Sequence, residues 1–388
     1  MRVDELFPRT TLPVDYVKRV IDEAAKKNIR VISFTGGEPL LFLNELKELI
    51  DHAGKAGIEY IRTGTNGFLF RNHDSAKYEY RIEKLAEALA GAPLRNFWIS
   101  IDSAIPPVHE KMRGLPGVIA GIEKALPIFH DHGIYPSANL GINRNIGGQA
   151  TSNLMMDANS DPASYISDFY REFRSAFRAF YRFVSGLGFT MVNTCYPMSV
   201  EETGRNHSLS AVYPAASSNR VVSFTDMEKA AIFKALFHTL AEFRPRIRIF
   251  SPRSSLYALY KRYLKQSENE LYGCRGGIDF LYMDAKDGNI YPCGYRGKER
   301  LGTINELDSR RRHLRPDCRQ CDWECFRDPS ELFGPIFDGI FDPGKLIGDW
   351  RKDSTRLRIW LEDLRYYHAC DLFDGRTAPD FTRLAKFR

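Results

Sequence analysis

Between residues 14 and 197, short apolar, β-rich runs alternate with amphipathic helical stretches. That alternation restricts the chain to parallel strands joined by crossover helices. The strand candidates are Val31 to Phe34, about Ile58 to Ile61, Phe97 to Ile101, about Ala138 to Ile142, and Phe189 to Val192. The first helix opens near Thr11 and Pro13 and carries Val17, Val20, Ile21 and Ala24 on one face. Further helices are expected at Leu43 to Ala53, Ile82 to Leu89, Val118 to Phe129 and Tyr165 to Val184. Five such strands favour a barrel-like or doubly wound sheet. The series opens on a helix, whereas a parallel barrel normally opens on a strand, so one expected element is missing.

In a parallel α/β sheet, ligands meet the loops at the carboxyl ends of the strands. The first strand runs into Gly36-Gly37-Glu38-Pro39. Two glycines let the backbone approach a ligand and expose carbonyls, Glu38 adds a charge, and Pro39 sets the turn into the helix. Such a loop suits an ammonium group; a plain βα turn with Glu38 in solvent is the competing reading. The other strand ends are also polar: Thr63-Gly64-Thr65-Asn66-Gly67, Ser100-Ile101-Asp102-Ser103 and Gly141-Ile142-Asn143-Arg144-Asn145. Four polar strand ends on one rim point to a site.

FTGGEPLLF, TNG, ISID and LGINRN, in that order, resemble the radical S-adenosylmethionine (SAM) superfamily over roughly residues 14–197. The resemblance implies that Gly36, Gly37, Glu38 and Pro39 hold the SAM amino group. It places Ser100 and Asp102 near the ribose or carboxylate, has Asn143 and Arg144 face the cofactor, and has Asn66 shape the rim. In that family a CxxxCxxC motif after the first strand holds a SAM-cleaving 4Fe-4S cluster. Here the residues before Gly36 contain no cysteine. A chain lacking its first strand explains both absences with one cause, so the SAM-cleaving cluster is expected only in a full-length form. Loss of the cluster in a degenerate relative is the alternative.

All seven cysteines lie in the second half, at 195, 274, 293, 318, 321, 325 and 370. Clustering of this kind points to bound metal and excludes a small secreted disulfide scaffold. Cys274 and Cys293 flank a predicted hairpin, Phe280 to Tyr291, whose Asp-Gly or Gly-Asn turn would bring the two thiols together. Cys318, Cys321 and Cys325 form a compact CxxCx3C loop. On spacing alone zinc competes with an iron–sulfur cluster. Cys195 and Cys370 read as buried, unliganded residues, although Cys195 ends a strand on the rim and has a weaker reading as a substrate-facing group. The hairpin followed by CxxC resembles the SPASM/twitch extension of radical SAM enzymes. That resemblance implies one auxiliary 4Fe-4S cluster on Cys274, Cys293, Cys318 and Cys321, with Cys325 as a further candidate. A second auxiliary cluster would need Cys370 to return to the site. Arg310 to His313 reads as a solvated loop, with stabilisation of an anionic cluster or substrate as its second reading.

The expected architecture is therefore α/β: a partial (β/α) barrel of radical SAM type over residues 1–200, a closing loop and helical connection over 201–270, a cysteine-rich iron–sulfur domain over 271–342 and a helical tail over 343–388. The resemblance implies a 5′-deoxyadenosyl radical acting on a peptide or small-molecule substrate, with an electron donor such as a flavodoxin or ferredoxin. The other reading is a non-radical SAM- or ligand-binding protein with structural zinc. A net charge of +6 spread along 388 residues calls for no nucleic-acid partner. The start, MRVDELFPRTTLP, lacks the apolar core of a signal peptide. No run approaches the roughly 18 apolar residues of a membrane span. A reduced, cytoplasmic protein without a membrane partner is the expectation.

Overall fold

The computed structural model describes residues 10–156, 161–197, 209–213, 220–265, 270–308, 311 and 313–387. Six parallel strands form one sheet in sequential order: β1 (Val31–Phe34), β2 (Tyr60–Thr65), β3 (Leu94–Ser100), β4 (Ser137–Gly141), β5 (Met191–Cys195) and β6 (Arg248–Ile249). Helix α1 (Val14–Lys26) precedes β1; α2 (Leu43–Lys55) and α3 (Tyr78–Ala90) follow β1 and β2. Helices α4 (Pro106–Arg113) and α5 (Val118–Asp131) lie between β3 and β4, then α6 (Gln149–Ser152) and α7 (Pro162–Leu187) before β5, and α8 (Asp226–Phe243) before β6.

Successive strand residues point to opposite faces. Ile61, Phe97, Ile99, Ala138, Leu140 and Val192 are buried on the helix-covered face, where each large side chain contributes about 1.5–3 kcal/mol. The alternate positions include Arg62, Asn96, Asn139, Asn193 and Cys195 beside Trp98 and Met191, a mixed and largely polar concave face. The sheet curves around it: Arg62 on β2 lies 5.5 Å from the ring of Phe250, which follows β6 four strands away. The result is the expected partial barrel.

Two predicted strands began too early, for one reason. Ile58 and Phe189 donate their N–H groups to Ala53 and Val184, five residues back, at 3.0 Å each. Gly57 and Gly188 before them have φ of +93° and +106°. These apolar residues close the preceding helices as Schellman caps, so β2 and β5 begin beyond them. The short β6 has no apolar run to announce it. Residues after Pro252 form α9 (Arg253–Lys265), within the stretch expected as a closing loop and helical connection.

The cysteine-rich segment contains a small antiparallel hairpin, β7 (Tyr282–Met283) and β8 (Ile290–Tyr291), as predicted. It continues into α10 (Glu324–Phe341) and α11 (Pro343–Lys352), then α12 (Ser354–Ala369) and α13 (Phe381–Leu384). Residues 373–377 close the amino-terminal ends of the strands. Gly375 N–H donates to Arg95 O, Tyr135 N–H donates to Gly375 O, both at 2.7 Å, and Tyr60 Oη donates to Phe373 O at 2.9 Å. Among the described residues no helix is long and apolar enough to cross a membrane.

Candidate functional site

The open end of the barrel is the carboxyl rim. After β1, Gly36 and Gly37 have φ of +98° and +31°, a region that disfavours side chains, and nothing stands within 4 Å of where a Cβ would project. Their backbone is left open to a ligand, as SAM would require. Glu38 is not in solvent. Its Oε1 accepts the Leu40 N–H at 3.2 Å and its Oε2 accepts the Asn66 N–H at 2.6 Å. Glu38 thus ties the glycine loop to the end of β2, and burial pushes its carboxyl upward. Pro39 opens the short 3-10 turn that Glu38 caps, and Asn66 Oδ1 accepts Phe68 N–H at 2.9 Å.

Ser100 and Asp102, both buried, end β3. The Asp102 carboxylate is bound in a fork by Arg113, with Nη2 to Oδ1 at 2.8 Å. The Asp102 N–H donates to His109 Nδ1 at 3.1 Å, and burial depresses the His109 pKa to about 4, keeping that ring neutral. Arg113 also senses Glu38 and Cys195, so it sits between the strand ends. Sequence patterns did not mark it.

Two expected cofactor-facing residues are spent on the scaffold. Asn143 Nδ2 donates to Asp102 O at 3.0 Å and Gly141 O at 2.7 Å. Arg144 is drawn to α8, where Nη2 binds Glu228 Oε2 at 2.7 Å and the guanidinium stacks 4.5 Å over Phe224. The buried Glu228 carboxylate and the Phe224 ring hold this cation against α8.

Cys195 ends β5 and donates its S–H to Asn139 Oδ1 at 3.5 Å. Opposite it, the first turn of α10 brings Glu324, which accepts the Tyr196 N–H at 3.1 Å, and Cys325, whose thiol donates to Glu324 at 3.5 Å. Cys325 keeps an exposed surface although protein surrounds it, so it looks into open space inside the barrel. Burial and the neighbouring carboxylate hold both thiols well above their usual range.

Cys274, Cys293, Cys318 and Cys321 line a different, narrow space together with Arg296, Arg327, Trp323 and Phe326. Each thiol accepts the N–H of the residue two positions on. Gly276 and Tyr295 donate to Cys274 and Cys293 at 3.4 Å, and Gln320 and Trp323 donate to Cys318 and Cys321. Burial pushes the Cys293 thiol up to about 12 and raises Cys318 and Cys321. A bound cation would draw off these protons. Cys325 does not line this cavity, a correction to its place in the candidate ligand set: the helical start at Glu324 turns it toward the barrel. Cys370 is buried at the other end of the sheet, near Arg248 and Tyr366, away from either cysteine group. Arg311 donates to Gly277 O at 2.7 Å, whereas Arg310 and Arg312 lie outside the described residues.

A curved parallel sheet with a glycine-lined rim and a thiol-lined cavity beside it defines a barrel-type α/β protein. Residues 4–144 match the family model of the radical SAM superfamily. The chain is 28% identical over 120 residues to a probable GTP 3′,8-cyclase of Methanococcus maripaludis, covering 30% of this chain and 36% of that protein. It is 30% identical over 120 residues to the AdoMet-dependent heme synthase of Methanosarcina barkeri, covering 30% of this chain. The match thus spans about a third of the length of these curated relatives. The crystal structure of SuiB from Streptococcus suis superposes with a TM-score of 0.45 at 14% identity, covering 74% of this chain and 55% of that one.

The superfamily implies SAM and a 4Fe-4S cluster. The glycine loop fits the first. No cysteine precedes Cys195, so the residues present do not fit a SAM-cleaving cluster, and no reductive step is assigned to them.

Proposed function

We infer that the chain binds SAM at the Gly36–Gly37 loop and holds one auxiliary 4Fe-4S cluster on Cys274, Cys293, Cys318 and Cys321, beside a barrel that takes a peptide or small-molecule substrate. The observation that carries this reading is the cavity itself: four thiols, each with a backbone N–H aimed at its sulfur. N–H groups so placed stabilise thiolates, the form that ligates iron. When bound, the cluster supplies a one-electron redox centre or a ligand position. The chain's own residues supply the dry aromatic wall: Tyr213, Tyr295 and Trp323 stand beside this cavity, and Tyr213 also reaches Thr35 on the rim loop.

Structural zinc is the competing reading. Zinc draws four sulfurs to within about 3.8 Å of one another around a single ion. The two groups take the same four thiolates and differ in the sulfur spacing they impose, so metal content decides between them. Anaerobic reconstitution followed by iron, sulfide and zinc analysis tests the assignment. About four irons and four sulfides per chain support it; stoichiometric zinc without iron overturns it.

A further inference from the structure

Arg62 is a residue of the barrel interior that no part of this reading uses. It projects from the middle of β2 onto the polar concave face, and its guanidinium is sandwiched between aromatic rings, 4.8 Å from Trp98 and 5.5 Å from Phe250. Stacking holds the group in place but occupies only its flat faces. Its Nε is enclosed and has no hydrogen-bond partner among the described residues. The carboxylates that share the interior are engaged elsewhere: Asp102 by Arg113, Glu324 by the Tyr196 N–H, and Asp328 by Tyr196 Oη at 3.0 Å and Ser255 Oγ at 2.6 Å. The interior is reachable, because Arg62 is only partly covered and the exposed Cys325 thiol feels its charge. The first turn of α10 adds the positive end of an 18-residue helix to the same space.

We propose that Arg62 anchors an oxyanion, the carboxylate or phosphate of a small organic substrate, inside the barrel between Trp98 and Phe250. This deepens the reading of the barrel as a substrate site and rests on it. The edge of a guanidinium offers a fork of N–H donors that matches a carboxylate or phosphate in two parallel hydrogen bonds. Neighbouring amides of Asn139 and Asn193, paired across β4 and β5, complete a polar floor. The Trp98 and Phe250 rings favour a flat organic group beside the anion.

The test is calorimetric titration of the reconstituted protein with benzoate, phenyl phosphate and neutral benzamide. Benzoate or phenyl phosphate is expected to bind, and whichever binds tighter identifies the anion class. Binding should weaken roughly ten- to a hundredfold in Arg62→Gln and less in Arg62→Lys. Benzamide should bind at least about tenfold more weakly than the anions in the unaltered protein, a comparison that needs no variant to fold. Equal binding of benzamide and benzoate, equal anion binding by Arg62→Gln, or no binding of either anion overturns the proposal. Iron content, read on the same samples, belongs to the cluster assignment and fails or stands separately.

Discussion

The Cys274 N–H donates to the Cys318 carbonyl at 2.7 Å, an antiparallel bridge between residues 44 positions apart in the chain. This bond registers the hairpin cysteines against the CxxC loop, so the four thiols meet through backbone geometry that metal binding need not create.

Single alanine replacement at Cys274, Cys293, Cys318 or Cys321 should therefore abolish stable cluster loading, read as iron per chain and absorbance near roughly 400 nm. Cys325→Ser and Cys195→Ser should load iron normally, because both thiols face the barrel. Normal loading by Cys321→Ala would remove the assigned ligand set.

Arg327 holds the same framework from behind. Its side chain donates to the carbonyls of Tyr272 at 2.6 Å, Cys321 at 3.2 Å and Cys318 at 3.5 Å, and it pairs with buried Glu331. Arg327→Met leaves these acceptors without their donor and should cost about 3–5 kcal/mol in urea unfolding. Arg327→Lys keeps the charge but not the fork, and should fall between the two.

Glu38 binds two backbone N–H groups from two different strand ends. Glu38→Ala should cost about 2–3 kcal/mol and weaken SAM binding in equilibrium dialysis, since the glycine loop loses its tie to β2. Unchanged SAM affinity in a folded Glu38→Ala protein would separate this loop from the cofactor.

His109 sets an acid limit. Its ordinary pKa of 6.5 falls to about 4 in the folded protein through burial. The unfolded chain therefore binds the proton first, and stability that is full above pH 6.5 drains away as the pH falls toward 4, by on the order of 3 kcal/mol. His109→Gln, whose amide oxygen can still accept the Asp102 N–H, should flatten that part of the unfolding-midpoint profile against pH.

The alternation of runs was enough to read a parallel sheet, and GGEP, TNG and ISID were enough to mark the ends of its first three strands, because both are local patterns with a local physical cause. The hairpin between Cys274 and Cys293 was legible for the same reason. Arg113, Glu324 and Arg62 were not, since their roles come from what lies across the barrel rather than beside them in the chain.

The chain's own order of residues determined that strands would alternate with helices, that glycines would open the first loop, and that thiols would gather after residue 273. Only the tertiary structure decided which of them act together. It turned Cys325 inward at the start of α10, drew Arg144 away to Glu228, buried Cys370 at the far end of the sheet, and left Arg62 held between two rings. Hydrogen-bond and charge partners are chosen by proximity in space, and a curved parallel sheet brings together residues that no sequence spacing relates.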